Sequence, residues 1–189
     1  MKVKKKLRKK FLSLRQKKYF DVPYEKFSPL INYIKKKYKS KKKIYIAIYY
    51  PSNYEINLLN VFNNLKEKRL ITLLPIINKN GLLNFVQWDY QDIMIVNKYG
   101  IPEPLHTKKT FLPDVVLAPL IAFDKHNNRL GYGKGYYDKY LNKLTKSDKK
   151  IEAIGIGFSF QQYEKLPTNE FDFNLDNIFT DKGFIRWKF

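Results

Sequence analysis

Three observations on the 189 residues predict an α/β fold: a mainly parallel sheet with helices on both faces, and a helical layer at the N-terminus. From Ile44 onward, short apolar runs alternate with segments of helical period, the pattern of a parallel sheet covered on both sides. Before Ile44, two lysine-rich segments carry apolar residues only at helical spacing. Between Pro113 and Leu141 an apolar strand runs into a glycine-basic loop and then a helix, the connection typical of ligand-binding α/β sheets. The length suits a single domain spanning 1–189, with the helical layer over about 1–40 and the α/β core over about 44–189.

Taken in order, Val3, Leu7, Phe11 and Leu14 share one face of an opening helix whose other positions are mostly lysine. Asp21 is the expected cap of a second helix, with Phe27, Leu30, Ile31 and Ile34 as its buried stripe. The run Lys41–Lys43 reads as a surface turn. Ile44 to Tyr50 and Leu70 to Ile77 read as buried strands, with a helix from about Glu55 to Lys68 between them. Gly81 to Val96 reads as a hairpin or an irregular excursion. Strands follow at Val115–Ala118, Ile151–Phe158 and near Asn177–Thr180. In such sheets ligands bind beyond the carboxyl ends of the strands, where Pro51, the glycine loop and Ser159 would emerge.

The richest chemistry lies in that glycine loop. Gly131, Gly133 and Gly135 surround Lys134, and Tyr137, Tyr140, Leu141 and Leu144 then recur at helical spacing. Glycines let backbone amides approach phosphate oxygens, and the first N–H groups of the helix and its dipole favour an anion. Lys134 is followed by Gly135 where a Walker A loop needs Ser or Thr, and the glycine spacing does not match the dinucleotide fingerprint. Asp138, in the first helical turn, is placed to bring a hard cation to the phosphates. The signal is a magnesium-bound nucleoside triphosphate; the competing reading is a plain connector, which rarely needs three glycines together with Arg129 and Lys134.

Composition removes several function classes. The chain has no cysteine, which excludes disulfides, thiol catalysis and cysteine-ligated metal. No apolar run approaches the roughly 18 residues of a membrane span. The basic start lacks an apolar h-region, so it does not read as a signal peptide, and a cytoplasmic protein without membrane association is expected. The net charge of +20 invites a nucleic-acid function, yet 32 of the 37 basic residues are lysine. Base readout and bidentate phosphate clamps favour arginine, so most of the lysines read as solvated surface and no specific nucleic-acid partner is expected.

The segment AFDKHNNRLGYGKGYYDKYL, Ala122–Leu141, resembles the signature of the 5-formyltetrahydrofolate cyclo-ligase family, also called 5,10-methenyltetrahydrofolate synthetases. The resemblance extends over nearly the whole chain. KKKLRKKFLSLR (Lys4–Arg15) is similar to the family's basic opening helix, and IYYPSNYEINLL (Ile48–Leu59) to its strand-then-glutamate segment. ITLLPII, GIPEP and FSFQQYEKLPTNEFDFNLDNIFT follow in the family's order and spacing.

The resemblance implies ATP-dependent conversion of 5-formyltetrahydrofolate to 5,10-methenyltetrahydrofolate through a phosphorylated formyl group, with release of ADP and phosphate. It places ATP between Lys4, Lys5, Lys6, Leu7 and Arg8 on one side and Arg129, Leu130, Gly131, Tyr132, Gly133, Lys134, Gly135, Tyr136 and Tyr137 on the other. Arg129 and Lys134 are the expected catalytic cations, Asp138 and Asp172 the expected ligands of Mg2+, and Tyr50 and Glu55 the expected folate contacts. Glu55 reads equally well as a first-turn helix carboxylate, and Asp172 as a turn residue. Tyr99, Trp88 and Phe123 are further stacking candidates, while His106 and His126 receive no role. The partners implied are ATP and a folate, free or polyglutamylated, and a monomer is expected.

Two departures from the family pattern stand out. Asn57 and Leu58 replace an acidic residue and a threonine after the folate glutamate, and Asn127 replaces a glycine before Asn-Arg-Leu-Gly. The first keeps open a binding relative without turnover; the basic surface keeps open a nucleic-acid-binding protein built on the same fold.

Overall fold

In the computed structural model, which describes residues 2–65, 67–105, 107–145 and 150–186, strands drawn from Ile44 to Phe184 form a seven-stranded sheet. Helix α1 (Lys2–Lys18) leads through a 3-10 turn (Tyr24–Phe27) into α2 (Ser28–Lys37). Then come β1 (Ile44–Ala47), α3 (Leu58–Asn64), β2 (Leu70–Ile77) and β3 (Leu83–Gln87). A small hairpin, β4 (Met94–Val96) with β5 (Pro102–Pro104), precedes β6 (Val115–Pro119). A second small pair, β7 (Ala122–Phe123) with β8 (Arg129–Leu130), leads to α4 (Tyr136–Thr145). The chain closes with β9 (Glu152–Gly157), β10 (Asn177–Thr180) and β11 (Gly183–Phe184).

The strand order is β11-β10-β9-β6-β1-β2-β3. Its five inner strands are parallel, and β3 and β11 pair antiparallel at the two edges. Side chains alternate across a strand, and this sorts the core into two layers. Ile44, Ile46, Val115, Leu117, Ile154, Ile156 and Phe179 face α2 and α3, where they meet Leu30, Ile34, Leu58 and Val61. Ala47, Val116, Ala118, Ala153 and Ile178 face the other way, toward Leu141 of α4. A third cluster joins Leu7 and Phe11 of α1 to Ile121, Ala122, Leu130 and Leu166, so α1 packs over the segment leaving β6.

Several local expectations change. Asp21 does not cap α2: its Oδ1 accepts from the Tyr19 hydroxyl at 2.6 Å, and α2 continues from the 3-10 turn with Pro29 in its first turn. The helix expected from Glu55 begins at Leu58, because Asn53 and Tyr54 adopt left-handed φ of 47° and 62° and hold the preceding residues in a turn. Asn57 is the true cap of α3, its side chain accepting from Leu59 N at 3.0 Å, and Leu58 is fully buried. The unusual Asn57-Leu58 pair is therefore structural: one residue caps and the other fills the core. The β1 ladder stops at Ala47 rather than Tyr50, although Ile48 N still donates to Leu73 O at 2.9 Å. Val3 is exposed, and Arg15 takes a buried place beside Leu7 and Phe11 on α1.

Candidate active site

Beyond the carboxyl ends of β1 and β6 lies a cavity of about 1130 Å³. The glycine loop, α1, the turn before α3, the β4–β5 hairpin and the segment around Asp172 all contribute to its wall. Of the expected residues, Lys4, Lys5, Arg8, Tyr50, Glu55, Asp172 and every residue from Arg129 to Asp138 line it. Lys6 and Leu7 do not: Lys6 is exposed on α1 outside the lining, and Leu7 is 7% exposed within the α1 core cluster. The reason is helical geometry, since residues 4, 5 and 8 present one side of α1 and residue 7 the adjacent, buried side.

The cradle is made by backbone. Gly133 and Gly135 have φ of 98° and 69°, a region L side chains rarely enter. Arg8 of α1 donates from Nε to Gly131 O at 2.7 Å, and a Cβ built on Gly133 would stand 3.1 Å from the Arg8 guanidinium carbon. The helix and the loop thus dock closely only because residue 133 has no side chain. Helix α4 starts immediately after, with Lys139 N donating to Gly135 O at 2.9 Å, so its unpaired first N–H groups sit at the cradle. Upstream, Asp124 organises the turn that delivers Arg129. Its carboxylate accepts from His126 N, Asn128 N, Asn128 Nδ2 and Leu166 N at 2.9–3.1 Å, and Asn127 adopts φ of 58° where a glycine would also serve.

Each expected metal carboxylate is paired with an expected phosphate cation. Asp138 accepts from Arg129 at 2.7 Å, and Asp172 from Lys4. Backbone amides add to both: Phe173 N reaches Asp138 at 3.3 Å, and Asn169 N reaches Asp172 at 2.7 Å. Arg129 is only 4% exposed, its Nε has no hydrogen-bond partner among the described residues, and its guanidinium carbon lies 5.6 Å from the centre of the Tyr137 ring. Lys134 makes no ion pair among the described residues; its Nζ lies 5.5 Å from the Tyr99 ring, and the Tyr99 and Tyr136 hydroxyls share a hydrogen bond of 2.5 Å.

At the opposite wall, Glu55 is 6% exposed. Its Oε2 accepts from Ser52 N at 2.8 Å and Ser52 Oγ at 3.3 Å, and its Oε1 accepts from the Tyr132 hydroxyl at 2.7 Å. Burial raises its pKa, against the opposing pull of Arg15, Ser52 and Tyr132. Burial likewise pushes the Tyr49, Tyr132 and Tyr137 hydroxyls up, with the Glu55 charge adding to each. Tyr49 bonds Ile56 O at 2.9 Å, folding the turn back against β1.

Sequence reasoning missed Arg15 and Glu103. Arg15 lay one position past the apolar stripe in the register of Leu7 and Phe11, and that spacing was the available signal. Glu103, in the GIPEP segment, is 4% exposed, lines the cavity and accepts from Asn97 Nδ2 at 3.1 Å. Tyr99 does line the cavity, whereas Trp88 and Phe123 are core residues. His106 lies outside the described residues. Gln161 bridges Leu120 O and Ile121 O at 3.0 and 2.8 Å and ties the end of β9 to the exit of β6.

Fold and cavity together define a single-domain α/β protein in which a glycine-and-basic anion cradle faces a buried carboxylate across one space. A family model described as the 5-formyltetrahydrofolate cyclo-ligase family matches residues 1–181, and the chain belongs to that family. A Haemophilus influenzae protein named 5-formyltetrahydrofolate cyclo-ligase is 34% identical over 140 residues, 70% of this chain and 73% of that protein. The NMR structure of a 5,10-methenyltetrahydrofolate synthetase from Aquifex aeolicus superposes with a TM-score of 0.76 at 29% identity, covering 97% of this chain and 92% of that one. A 5,10-methenyltetrahydrofolate synthetase structure from Mycoplasma pneumoniae gives a TM-score of 0.68 at 27% identity over 94% and 98% of the two chains. The chain is thus an enzyme of a ligase family, and no helix among its described residues is long and apolar enough to cross a membrane.

Proposed function

We propose that this protein converts 5-formyltetrahydrofolate and ATP into 5,10-methenyltetrahydrofolate, ADP and phosphate, and that this one cavity holds both substrates. The observation that carries this reading is the shared space: the glycine cradle and the Glu55 turn open into one volume of about 1130 Å³. Ligand pockets commonly measure about 300–1,000 Å³, so this volume suits two substrates side by side.

The triphosphate lies against the amides of Gly131–Gly135, with Lys4, Arg8, Lys134 and Arg129 supplying positive charge. The pterin lies toward Tyr50 and Glu55, the carboxylate accepting from pterin N–H groups. The formyl oxygen on N5 attacks the γ-phosphorus in line, the bond to the β-γ bridging oxygen breaks, and ADP leaves. N10 then attacks the activated formyl carbon. It loses its proton, phosphate departs, and the methenyl bridge remains. No protein nucleophile is required; the side chains position the two substrates and stabilise charge.

Two carboxylates on one wall fit a hard cation that completes its shell with phosphate oxygens and water, and no cluster of three or more His, Cys, Asp or Glu among the described residues forms a protein cage. Asp138 and Asp172 would hold Mg2+, which supplies neutralisation of the phosphate charge. Asp138 pairs with Arg129 and Asp172 with Lys4, so with the metal bound these two cations would be available to the phosphates.

The test is a spectrophotometric assay with 5-formyltetrahydrofolate, ATP and magnesium, with controls omitting ATP or substituting 10-formyltetrahydrofolate. The methenyl chromophore should appear only in the complete mixture, matched by ADP. A folded protein that binds ATP yet forms no product would make this a binding relative.

A further inference from the structure

Arg15 is the largest fully buried side chain among the described residues, 1% exposed, and no step of the proposed reaction uses it. It reaches four residues in three separate segments. Its Nε donates to Asn53 O at 2.8 Å, one Nη to Leu120 O at 3.1 Å, and the other Nη to the Tyr132 hydroxyl at 2.5 Å. The Glu55 carboxylate is 4.0 Å away, bridged by that same hydroxyl, which donates to Glu55 Oε1 at 2.7 Å. Stability does not account for such a residue, because a buried charge pair is often no better than apolar packing. Each bond instead holds something the cavity needs. Asn53 and Tyr54 sit at left-handed φ, strain that persists only where neighbours over-determine it, and Arg15 grips the carbonyl of the first. Leu120 O is a rigid anchor at the exit of β6, shared with Gln161.

We propose that Arg15 is a positioning residue for the folate half-site: through the Tyr132 hydroxyl it fixes the Glu55 carboxylate at the cavity wall, coupling that carboxylate to the docking of α1 on the glycine loop. This rests on the reading of Glu55 as a folate contact. Charge and geometry act separately here. The guanidinium offsets the desolvation of Glu55, and its planar fork holds three acceptors in one orientation. The groups facing Glu55 are Arg15 from α1, Tyr132 from the glycine loop, Tyr137 from α4, and Tyr49 and Ser52 from its own segment.

The experiment measures 5-formyltetrahydrofolate affinity by calorimetry across pH, ATP affinity, and kcat and KM, for wild type, Arg15→Met, Arg15→Lys and Tyr132→Phe. Folate affinity should fall about tenfold or more in all three variants, and by more than ATP affinity does, the size expected for losing a charge-assisted hydrogen bond. With Arg15→Met the acid limb of the folate-binding profile should move to higher pH, because burial raises the Glu55 pKa and its cation is gone. Arg15→Lys, which keeps the charge, should leave the limb in place while affinity still drops. Should Arg15→Met not fold, Tyr132→Phe carries the test, since that ring is partly exposed and its removed hydroxyl is the bridge. Folded variants with unchanged folate affinity and an unmoved acid limb, or an equal loss of ATP and folate binding, would overturn the proposal. A wild-type protein that fails to bind folate or to form product would instead sink the parent reading, separating the two failures.

Discussion

Lys134 and Asp138 sit four residues apart on the loop-to-helix junction, yet they meet different fates. Asp138 is neutralised by Arg129 at 2.7 Å, while Lys134 makes no ion pair among the described residues and its Nζ lies 5.5 Å from the Tyr99 ring. Lys134→Ala should therefore lose turnover by a hundredfold or more with thermal stability unchanged, since no described fold contact depends on its ammonium. Asp138→Asn should lose turnover similarly and also weaken the magnesium dependence of ATP binding, which titration with and without the metal would show. Near-normal turnover in either variant would remove that residue from the mechanism. Gly133→Ala tests the cradle itself. A methyl group there meets the Arg8 guanidinium at 3.1–3.3 Å on a backbone at φ of 98°. ATP affinity should fall at least tenfold and stability by about 1 kcal/mol, the usual scale for a side chain at positive φ. Calorimetry and denaturant unfolding read the two effects separately.

Helix α1 is held by a short apolar stripe, so in the proposed placement of ATP it is the element through which nucleotide binding would be weakened first. Leu7 and Phe11 are its buried apolar anchors in the third core cluster, with Leu12 and Leu14 packed against them, whereas Lys4, Lys5 and Arg8 present the cavity side. Leu7→Ala removes buried apolar volume, and such changes cost about 2–5 kcal/mol. Because that cost falls on the docking of α1, KM for ATP should rise several-fold while the sheet stays native by circular dichroism. A stability loss with ATP affinity intact would show that α1 docking and the nucleotide site are independent. The sheet is less tolerant in a different way. Gly155 of β9 faces Leu175, Leu120 and Ile178, and a Cβ there would lie 2.6–2.9 Å from their methyl carbons. The smallness of that residue lets the α4-side layer close against the strand.

Over the whole molecule the charge is the unusual quantity. Among the described residues the cavity collects Lys2, Lys4, Lys5, Arg8, Arg129, Lys134 and Lys139 against Glu55, Glu103, Asp138 and Asp172. With a net +20 behind it, this wall should steer two polyanionic substrates toward one opening. The Debye length falls from about 10 Å at 0.1 M salt to about 3 Å at 1 M. Apparent KM for ATP and for a polyglutamylated folate should climb with added salt while kcat stays level, and salt-independent KM values would assign the lysines to solvated surface alone. Nucleic acid, if bound, should bind weakly and without sequence preference, which filter binding over several sequences would check.

The sequence by itself determined the class of fold, the succession of the five inner strands along the chain and the glycine loop, because these rest on local signals: period, turn chemistry and the spacing of glycines around a lysine. Family membership was legible for the same reason, in Ala122–Leu141 above all. The misplaced features were those set by distant partners. The start of α3 moved because two residues took left-handed φ in a turn that Arg15 grips from 38 positions away, and Asp21 gave up capping for the Tyr19 hydroxyl. Leu7 left the expected nucleotide wall because neighbours on one helix face different ways. Only the tertiary structure decided that Arg129 and Lys4 are bound by Asp138 and Asp172, and that Arg15 stands behind Glu55. Ion pairs and buried hydrogen bonds carry no periodicity along the chain; they exist only once packing has brought their ends together.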